Sequence, residues 1–422
     1  MTVKLGVRYQ RQLWNDYEFR VRGIAPYRFP SDNNDVAPRL SLAWDPAGDR
    51  KTSIHAAYGM FYDAQITGLW GITRGINGSD GVRTLVATGG TAIAAFRSAS
   101  RKLPEPAAAY PSLAITTDPG LQTPYSHHAS VGIDRELPGQ MALAASFVYA
   151  RGFNQLGTID YNPVINPATG NRPEDVVGAA GPMPGSSASI LQYTSFGETW
   201  YRGLTATLSK RFTNRYQFLG SYTLSKAEDN STDFQSAFIP QSNGRGRNPQ
   251  DPLGLPLGFD PDAEKGSSTQ HQRHRFVLSG TYLARGDVQL STIVTVASGR
   301  PFNILAGSDV NGDGNGGAFP PDRARGNVLD ANTSVPRNAG TLPGQATMDV
   351  RVSRRFALGG KARLEGIFEV FNLFNRTNFD LTDNGPNIFG TGSFPGNPVP
   401  TYGMWTQAGP PLQIQLAGKV SF

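Results

Sequence analysis

Leu412-Gln413-Ile414-Gln415-Leu416-Ala417-Gly418-Lys419-Val420-Ser421-Phe422 ends the chain. Leu412, Ile414, Leu416, Gly418, Val420 and Phe422 alternate with Gln413, Gln415, Ala417, Lys419 and Ser421 up to an aromatic last residue. Strict period-two alternation describes a strand with one apolar and one polar face. The last residues of a soluble domain tend to fray. A transmembrane β-barrel has a reason to keep them ordered, because its final strand must pair at both edges while lipid bathes one face and the lumen the other.

Working back from this strand, the composition is compatible with many more of the same kind. The 422 residues include 49 Gly and 31 Pro, with 38% hydrophobic and 17% charged residues, and the mean hydropathy is −0.34. No stretch approaches the roughly 20 apolar residues of a membrane helix. Barrel strands interleave each apolar residue with a polar one, so this composition excludes membrane helices and leaves membrane strands open. Cysteine is absent, which removes disulfide frameworks and thiolate metal sites. The net charge of +6 is spread over strands and loops with no basic run, which argues against nucleic acid as a partner. Residues 1–9 already read as a strand, without the charged start and apolar core of a signal peptide. An exported protein of this kind is expected to have its true amino terminus upstream.

Twelve segments alternate at period two: 3–9, 37–44, 53–63, 127–137, 141–149, 203–212, 216–226, 275–283, 288–297, 347–356, 362–371 and 412–422. Most are close to the roughly 9 to 11 residues that cross a bilayer when tilted. Their connections alternate in length. Asp45-Pro46-Ala47-Gly48-Asp49, Leu137-Pro138-Gly139-Gln140, Thr213-Asn214-Arg215, Ala284-Arg285-Gly286-Asp287 and Ala357-Leu358-Gly359-Gly360 are short turns rich in turn formers. Between them lie long irregular stretches at 11–35, 64–126, 151–202, 227–274, 298–346 and 372–411. Short turns on one side and long loops on the other are the asymmetry of an outer-membrane barrel, with periplasmic turns and extracellular loops. Trp44, Phe212, Tyr216, Tyr282, Phe356 and Phe422 fall next to the short turns, and Tyr9, Tyr62, Tyr149 and Tyr222 at the opposite ends, which predicts two aromatic girdles. The fold class read from these patterns is all-β, an antiparallel transmembrane barrel wall of about twelve strands.

Ala37-Pro38-Arg39, Tyr58-Gly59-Met60-Phe61-Tyr62-Asp63, Tyr222-Thr223-Leu224-Ser225-Lys226, His274-Arg275-Phe276, Ser298-Gly299-Arg300-Pro301-Phe302 and Phe371-Asn372-Leu373-Phe374-Asn375 occur in that order. In sequence and spacing they resemble the TonB-dependent outer-membrane receptors, especially the Oar-like subgroup, whose full-length members carry a carboxypeptidase-regulatory-like domain before the plug. The most specific element is Phe371-Asn372-Leu373-Phe374-Asn375 in the penultimate strand, followed by one more strand ending in Phe. The resemblance covers residues 1–422 as the carboxyl-terminal part of such a receptor, whose barrel has about 22 strands. It implies a plug and signal peptide absent from this sequence, and contact with the TonB complex only through that plug. It also implies outer-membrane lipid as surroundings and a segment read by the barrel-assembly machinery. Gln415, Val420 and Phe422 fit that segment, whereas Ala417 stands where glycine is usual.

Two groups of residues carry candidate chemistry. Asp309, Asn311, Asp313 and Asn315 offer oxygen ligands at alternate positions, with Gly314 at the sixth, like the first half of a calcium loop. Pro320 stands where the bidentate Glu of an EF-hand belongs, so Asp322 would have to supply that carboxylate; calcium is the only cofactor the sequence suggests. The alternative is an Asn/Asp/Gly turn bonding its own backbone. Asp349, Arg351 and Arg355 on one strand are expected to meet Arg363, Glu365 and Glu369 on the next across a short turn. They form either a docking strip for a plug or solute, or a salt-bridged ladder lining a wet interior.

Catalysis is not expected. His128, Ser130 and Asp134 share a strand face, but residues two apart stand about 7 Å apart at Cα, beyond nucleophile-to-base range. No spacing of His271, His274 and His128 brings three metal ligands together. The expected function is outer-membrane uptake of a bulky or scarce solute through a plugged barrel. The alternative is a stand-alone pore or adhesin without TonB coupling.

Overall fold

The computed structural model describes residues 1–19, 26–64, 67–75, 93–94, 96–98, 114–160, 190–230, 264–308, 310, 322–327, 333–381 and 385–422. Twelve strands follow one another in chain order through a single sheet. They are β1 (Thr2–Tyr9), β2 (Val36–Trp44), β3 (Thr52–Tyr62), β4 (Tyr125–Leu137), β5 (Met141–Asp160) and β6 (Ile190–Thr213). The sheet continues with β7 (Tyr216–Asp229), β8 (His274–Leu283), β9 (Val288–Ala297), β10 (Gln345–Gly359), β11 (Ala362–Phe371) and β12 (Gln413–Ser421). Every neighbouring pair is antiparallel.

The tight reversals follow from their residues. Asn214 and Arg215 take φ of 50° and 74° between the paired Thr213 and Tyr216. Two consecutive left-handed residues match the right-handed twist of the strands they join. Asp45 closes the first turn by accepting the Gly48 and Arg50 amides at 3.0 and 2.8 Å.

The register sorts side chains by face. Tyr282, Leu290, Val352, Phe368 and Leu416 form one row across five strands, and Thr281, Ser291, Arg351, Glu369 and Gln415 form the next row on the other face. Among the described residues no second sheet covers the apolar face: Leu290 is 39% exposed, Phe368 40% and Leu416 77%. Apolar groups left this open to water would cost roughly 25 cal/mol per Å² relative to burial, so hydrocarbon must surround them. The expected girdle residues all lie on this face and are exposed, apart from the half-buried Tyr62. β1 and β12 are exposed along their whole lengths and do not pair with each other, so the sheet is not closed.

Two expectations need correction. The stretch 151–202 was expected to be an irregular loop, yet β5 runs on to Asp160 and β6 starts at Ile190, giving strands of 20 and 24 residues. Their outer halves carry Gln155, Gln192, Thr194 and Ser195, which break the apolar alternation, because there they pair with each other above the membrane and need no lipid-facing stripe. The stretch 64–126 likewise contains a helix, α1 (Thr67–Gly75), and a short strand, Ala114–Thr117, parallel to the start of β6. At nine residues α1 is too short to cross a membrane.

The buried cores lie in the long loops and the outer halves of β5 and β6. Phe19, Tyr27, Phe29, Leu69, Ile115, Leu121, Leu156 and Tyr193 pack together at one end of the sheet. Phe302, Ile304, Ala324, Val335, Leu342 and Phe389 form a second cluster from the long loops between β9 and β10 and between β11 and β12. Gly299, from the Ser298-Gly299-Arg300-Pro301-Phe302 motif, joins β9 to the second cluster. A Cβ there would sit 1.6 Å from the Leu342 carbonyl oxygen, so only glycine fits.

Candidate functional site

The polar face of β10 and β11 carries the expected charged strip. Arg351 lies directly opposite Glu369, and Arg355 opposite Glu365, as cross-strand geometry requires. Arg351 reaches Glu369 at 3.6 Å and Glu365 at 3.9 Å, and Arg355 reaches Glu365 at 3.7 Å. Asp349 and Arg363 stand apart from this ladder. The Asp349 carboxylate accepts the Asn372 amide at 2.8 Å, and Arg363 faces Ala357 and Ser421. The Arg351 and Arg355 side chains are 42% and 63% exposed, and the ladder's contacts are long. Arg351→Ala is therefore expected to lower stability by less than about 1 kcal/mol, a loss that shrinks as salt is added, measured by urea unfolding.

Phe371-Asn372-Leu373-Phe374-Asn375 is a structural knot. Asn372, at φ 48°, is buried. Its side-chain amide donates to the carbonyls of Arg376 at 2.9 Å and Pro410 at 3.1 Å, and its oxygen accepts the Arg376 amide at 3.1 Å. Asn375 then accepts the Leu412 amide at 3.0 Å, fixing where β12 begins. Asn372→Ala should cost about 2 kcal/mol, since it leaves buried backbone groups unsatisfied and puts a Cβ-bearing residue without a side-chain amide in a left-handed position. The check is the unfolding midpoint in denaturant, with Asn372→Asp recovering part of the loss.

The remaining candidates separate. His128 shares a hydrogen bond with Ser126 at 3.0 Å, and Asp134 pairs with His55 at 3.4 Å, so His128, Ser130 and Asp134 are not assembled into a relay. Asp309, Asn311, Asp313 and Asn315 lie outside the described residues. Asp322 is buried, and its carboxylate accepts the Val310 amide at 2.6 Å. Among the described residues no group of three His, Asp or Glu is placed to hold a metal ion. Gln415 and Val420 face Glu369 and Leu364 on β11, and Phe422 is exposed at the end of the chain.

Sequence reading missed the buried charges above β7. Arg323 donates to the Glu264 carboxylate at 2.8 Å, with both side chains almost wholly buried. Arg337 pairs with Asp229 and donates to the Glu264 carbonyl at 2.9 Å. Burial pulls the Arg337 guanidinium down to about 10, so it remains charged at neutral pH. The network ties the end of β7 to the loop before β8 and to the loop between β9 and β10. Its members are spread over more than a hundred residues of chain, and nothing in their local sequence marks them.

This arrangement offers a lipid-facing belt, a polar inner face and a loop cap held by two apolar clusters and a buried ionic network. The FrpB iron transporter from Neisseria meningitidis matches 99% of the chain with TM-score 0.50 at 13% identity, and the match takes in 42% of that protein. A ferric enterobactin receptor mutant from Pseudomonas aeruginosa matches 93% of the chain at TM-score 0.49 and 13% identity, over 41% of its own length. The outer membrane transporter YddB from Escherichia coli matches 83% at TM-score 0.48 and 13% identity, over 38% of its length. The chain thus spans about two fifths of each of these structures. No curated protein sequence matches it. The family model described as an outer membrane beta barrel domain matches residues 2–415. That match covers nearly all twelve strands and places the chain in the outer membrane, and the chain belongs to the outer membrane beta barrel domain family.

Proposed function

We propose that the chain is the carboxyl-terminal barrel wall of a TonB-dependent receptor that takes up a bulky or scarce solute, most similar in its motifs to the Oar-like subgroup with its carboxypeptidase-regulatory-like domain. The observation that carries this reading is the open sheet. β1 and β12 expose their backbone edges, and unpaired edges in hydrocarbon cost several kcal/mol for each unsatisfied group, so further strands must complete the circle. In the complete receptor a plug would fill the polar lumen and bear on the TonB complex, and the loop clusters would form the outer vestibule that captures solute. Arg351, Arg355, Glu365 and Glu369 would face that plug. Gln415, Val420 and Phe422 would present the segment read by the barrel-assembly machinery.

The test is a cysteine at Val7 paired with one at Leu416 or Gly418, in the otherwise cysteine-free chain refolded in lipid. Little disulfide formation is expected, because β1 and β12 need intervening strands. Efficient, uniform formation would mean that twelve strands close by themselves, and a stand-alone pore or adhesin would replace the receptor reading. Calcium at Asp309, Asn311, Asp313, Asn315 and Asp322 is part of the same proposal, with weak affinity on the order of 10⁻⁴ to 10⁻³ M. Isothermal titration should give a binding curve for the parent and none for Asp313→Ala. Identical curves would return the loop to a plain turn.

A further inference from the structure

On the outward, apolar face, Phe147, Leu204 and Leu224 form the floor of a groove of about 550 Å³ that crosses the middles of β5 and β6 and the outer part of β7, and its upper wall carries Arg202, Lys226 and Arg273. A smaller hollow beside it adds Lys265 and shares Arg202 and Lys226. Arg202 stands directly opposite Lys226 in the β6–β7 register. Like charges in that position destabilise an antiparallel pair by up to about 1 kcal/mol, so folding alone does not favour them. Among the described residues, Glu228, 2.7 Å from Lys226, is the one carboxylate lining the two hollows, against Arg202, Lys226, Lys265 and Arg273. Lys265 is held 4.1 Å over the Trp200 ring, which fixes its ammonium beside the others. His271, in the same wall, is kept below its ordinary pKa by burial and by Lys226 and Arg273, so it is neutral at pH 7 and adds no charge.

Apolar floor below, cations above and aromatic residues at the boundary form the layering of an anionic amphiphile. We propose that this outward-facing hollow binds the phosphate-bearing headgroup of an outer-leaflet lipid, with the acyl chains lying on Phe147, Leu204 and Leu224. A free phosphate ion would leave that floor uncovered. An acidic peptide would have to enter the lipid to reach it. The site does not depend on a plug or on TonB coupling.

The full chain, refolded in neutral detergent, would be titrated with a short-chain phosphatidic acid, with phosphatidylcholine of the same chain length and with inorganic phosphate, and bound ligand counted by native mass spectrometry. Phosphatidic acid should bind at least about ten-fold more tightly than the other two. Replacing Arg202→Gln and Lys226→Gln together should weaken it about thirty-fold, at a factor of about five for each cation beside an anionic lipid surface. Glu228→Gln should tighten it about five-fold, an effect in the opposite direction that misfolding cannot imitate. Lys361→Gln, in the turn at the other end of the sheet, should change nothing. Equal affinity for the two lipids, or an unchanged affinity in Glu228→Gln and in the double variant, would overturn the proposal. Inorganic phosphate binding as tightly as phosphatidic acid would overturn the lipid assignment.

Discussion

Glu264→Ala is expected to cost about 3 to 5 kcal/mol in the loop cap, the largest loss of any single substitution considered. Arg323 is 4% exposed and Glu264 1%, and the guanidinium donates to the carboxylate at 2.8 Å. Truncating Glu264 removes the carboxylate that accepts from the buried Arg323 guanidinium, and the cost is mainly the poorer compensation of that cation's desolvation. The effect should be local. The Ala324 amide donates to the Ile304 carbonyl at 2.9 Å and the Val335 amide to the Ala324 carbonyl at 2.8 Å. Both amides should exchange at least about 100-fold faster, since 1.4 kcal/mol is a factor of ten. Removing both charges, as Glu264→Leu with Arg323→Met, should recover most of the protection, because a buried pair is often replaceable by apolar side chains of similar volume. Unchanged exchange in Glu264→Ala would mean that water reaches the pair and that the cap is far looser than its packing implies.

Val294→Arg is expected to destabilise the protein in lipid by about 2 to 4 kcal/mol, and Thr295→Arg by much less. Val294 lies between Leu278 and Met348 on the apolar face, and Thr295 between Val277 and Thr347 on the polar face, one residue away at nearly the same depth. Only the face differs. A guanidinium at position 294 must sit in hydrocarbon or drag its surroundings toward the interface, whereas at 295 it points into the wet side of the wall. Unfolding in vesicles and in detergent would separate lipid exposure from packing. Equal losses at the two positions would mean that both faces are buried in protein and would sink the barrel reading.

The sequence by itself determined the wall. Period-two alternation is a local signal, because side chains of a strand alternate faces whatever lies beyond it, and hydrocarbon on one side imposes that alternation on every strand alike. All twelve segments read from the sequence are strands of the path from β1 to β12, and the short turns fall where Asn214, Gly286 and Gly359 permit left-handed backbone. That the charged sets of β10 and β11 meet across the strands was legible for the same reason, since a short turn joins them, whereas the pairing of Arg351 with Glu369 and of Arg355 with Glu365 is set by the register beyond the irregularity at Ala357 to Gly359.

Only the tertiary structure decided what stands above the membrane. The outer halves of β5 and β6 are strands because they pair with each other and with Ala114–Thr117, a condition that polar residues such as Gln192 and Thr194 meet without any apolar stripe. Asp349 looked like a member of the charged ladder, yet its carboxylate is committed to the Asn372 amide, because the chain after β11 folds back across the start of β10. Glu264, Arg323 and Arg337 come from distant loops, and a charged residue in a loop ordinarily predicts solvent. Their burial follows from the packing of Phe302, Val335 and Phe389 nearby. Local periodicity records which solvent each face of a strand meets, whereas contacts between loops depend on closures over long stretches of chain that leave no periodic trace.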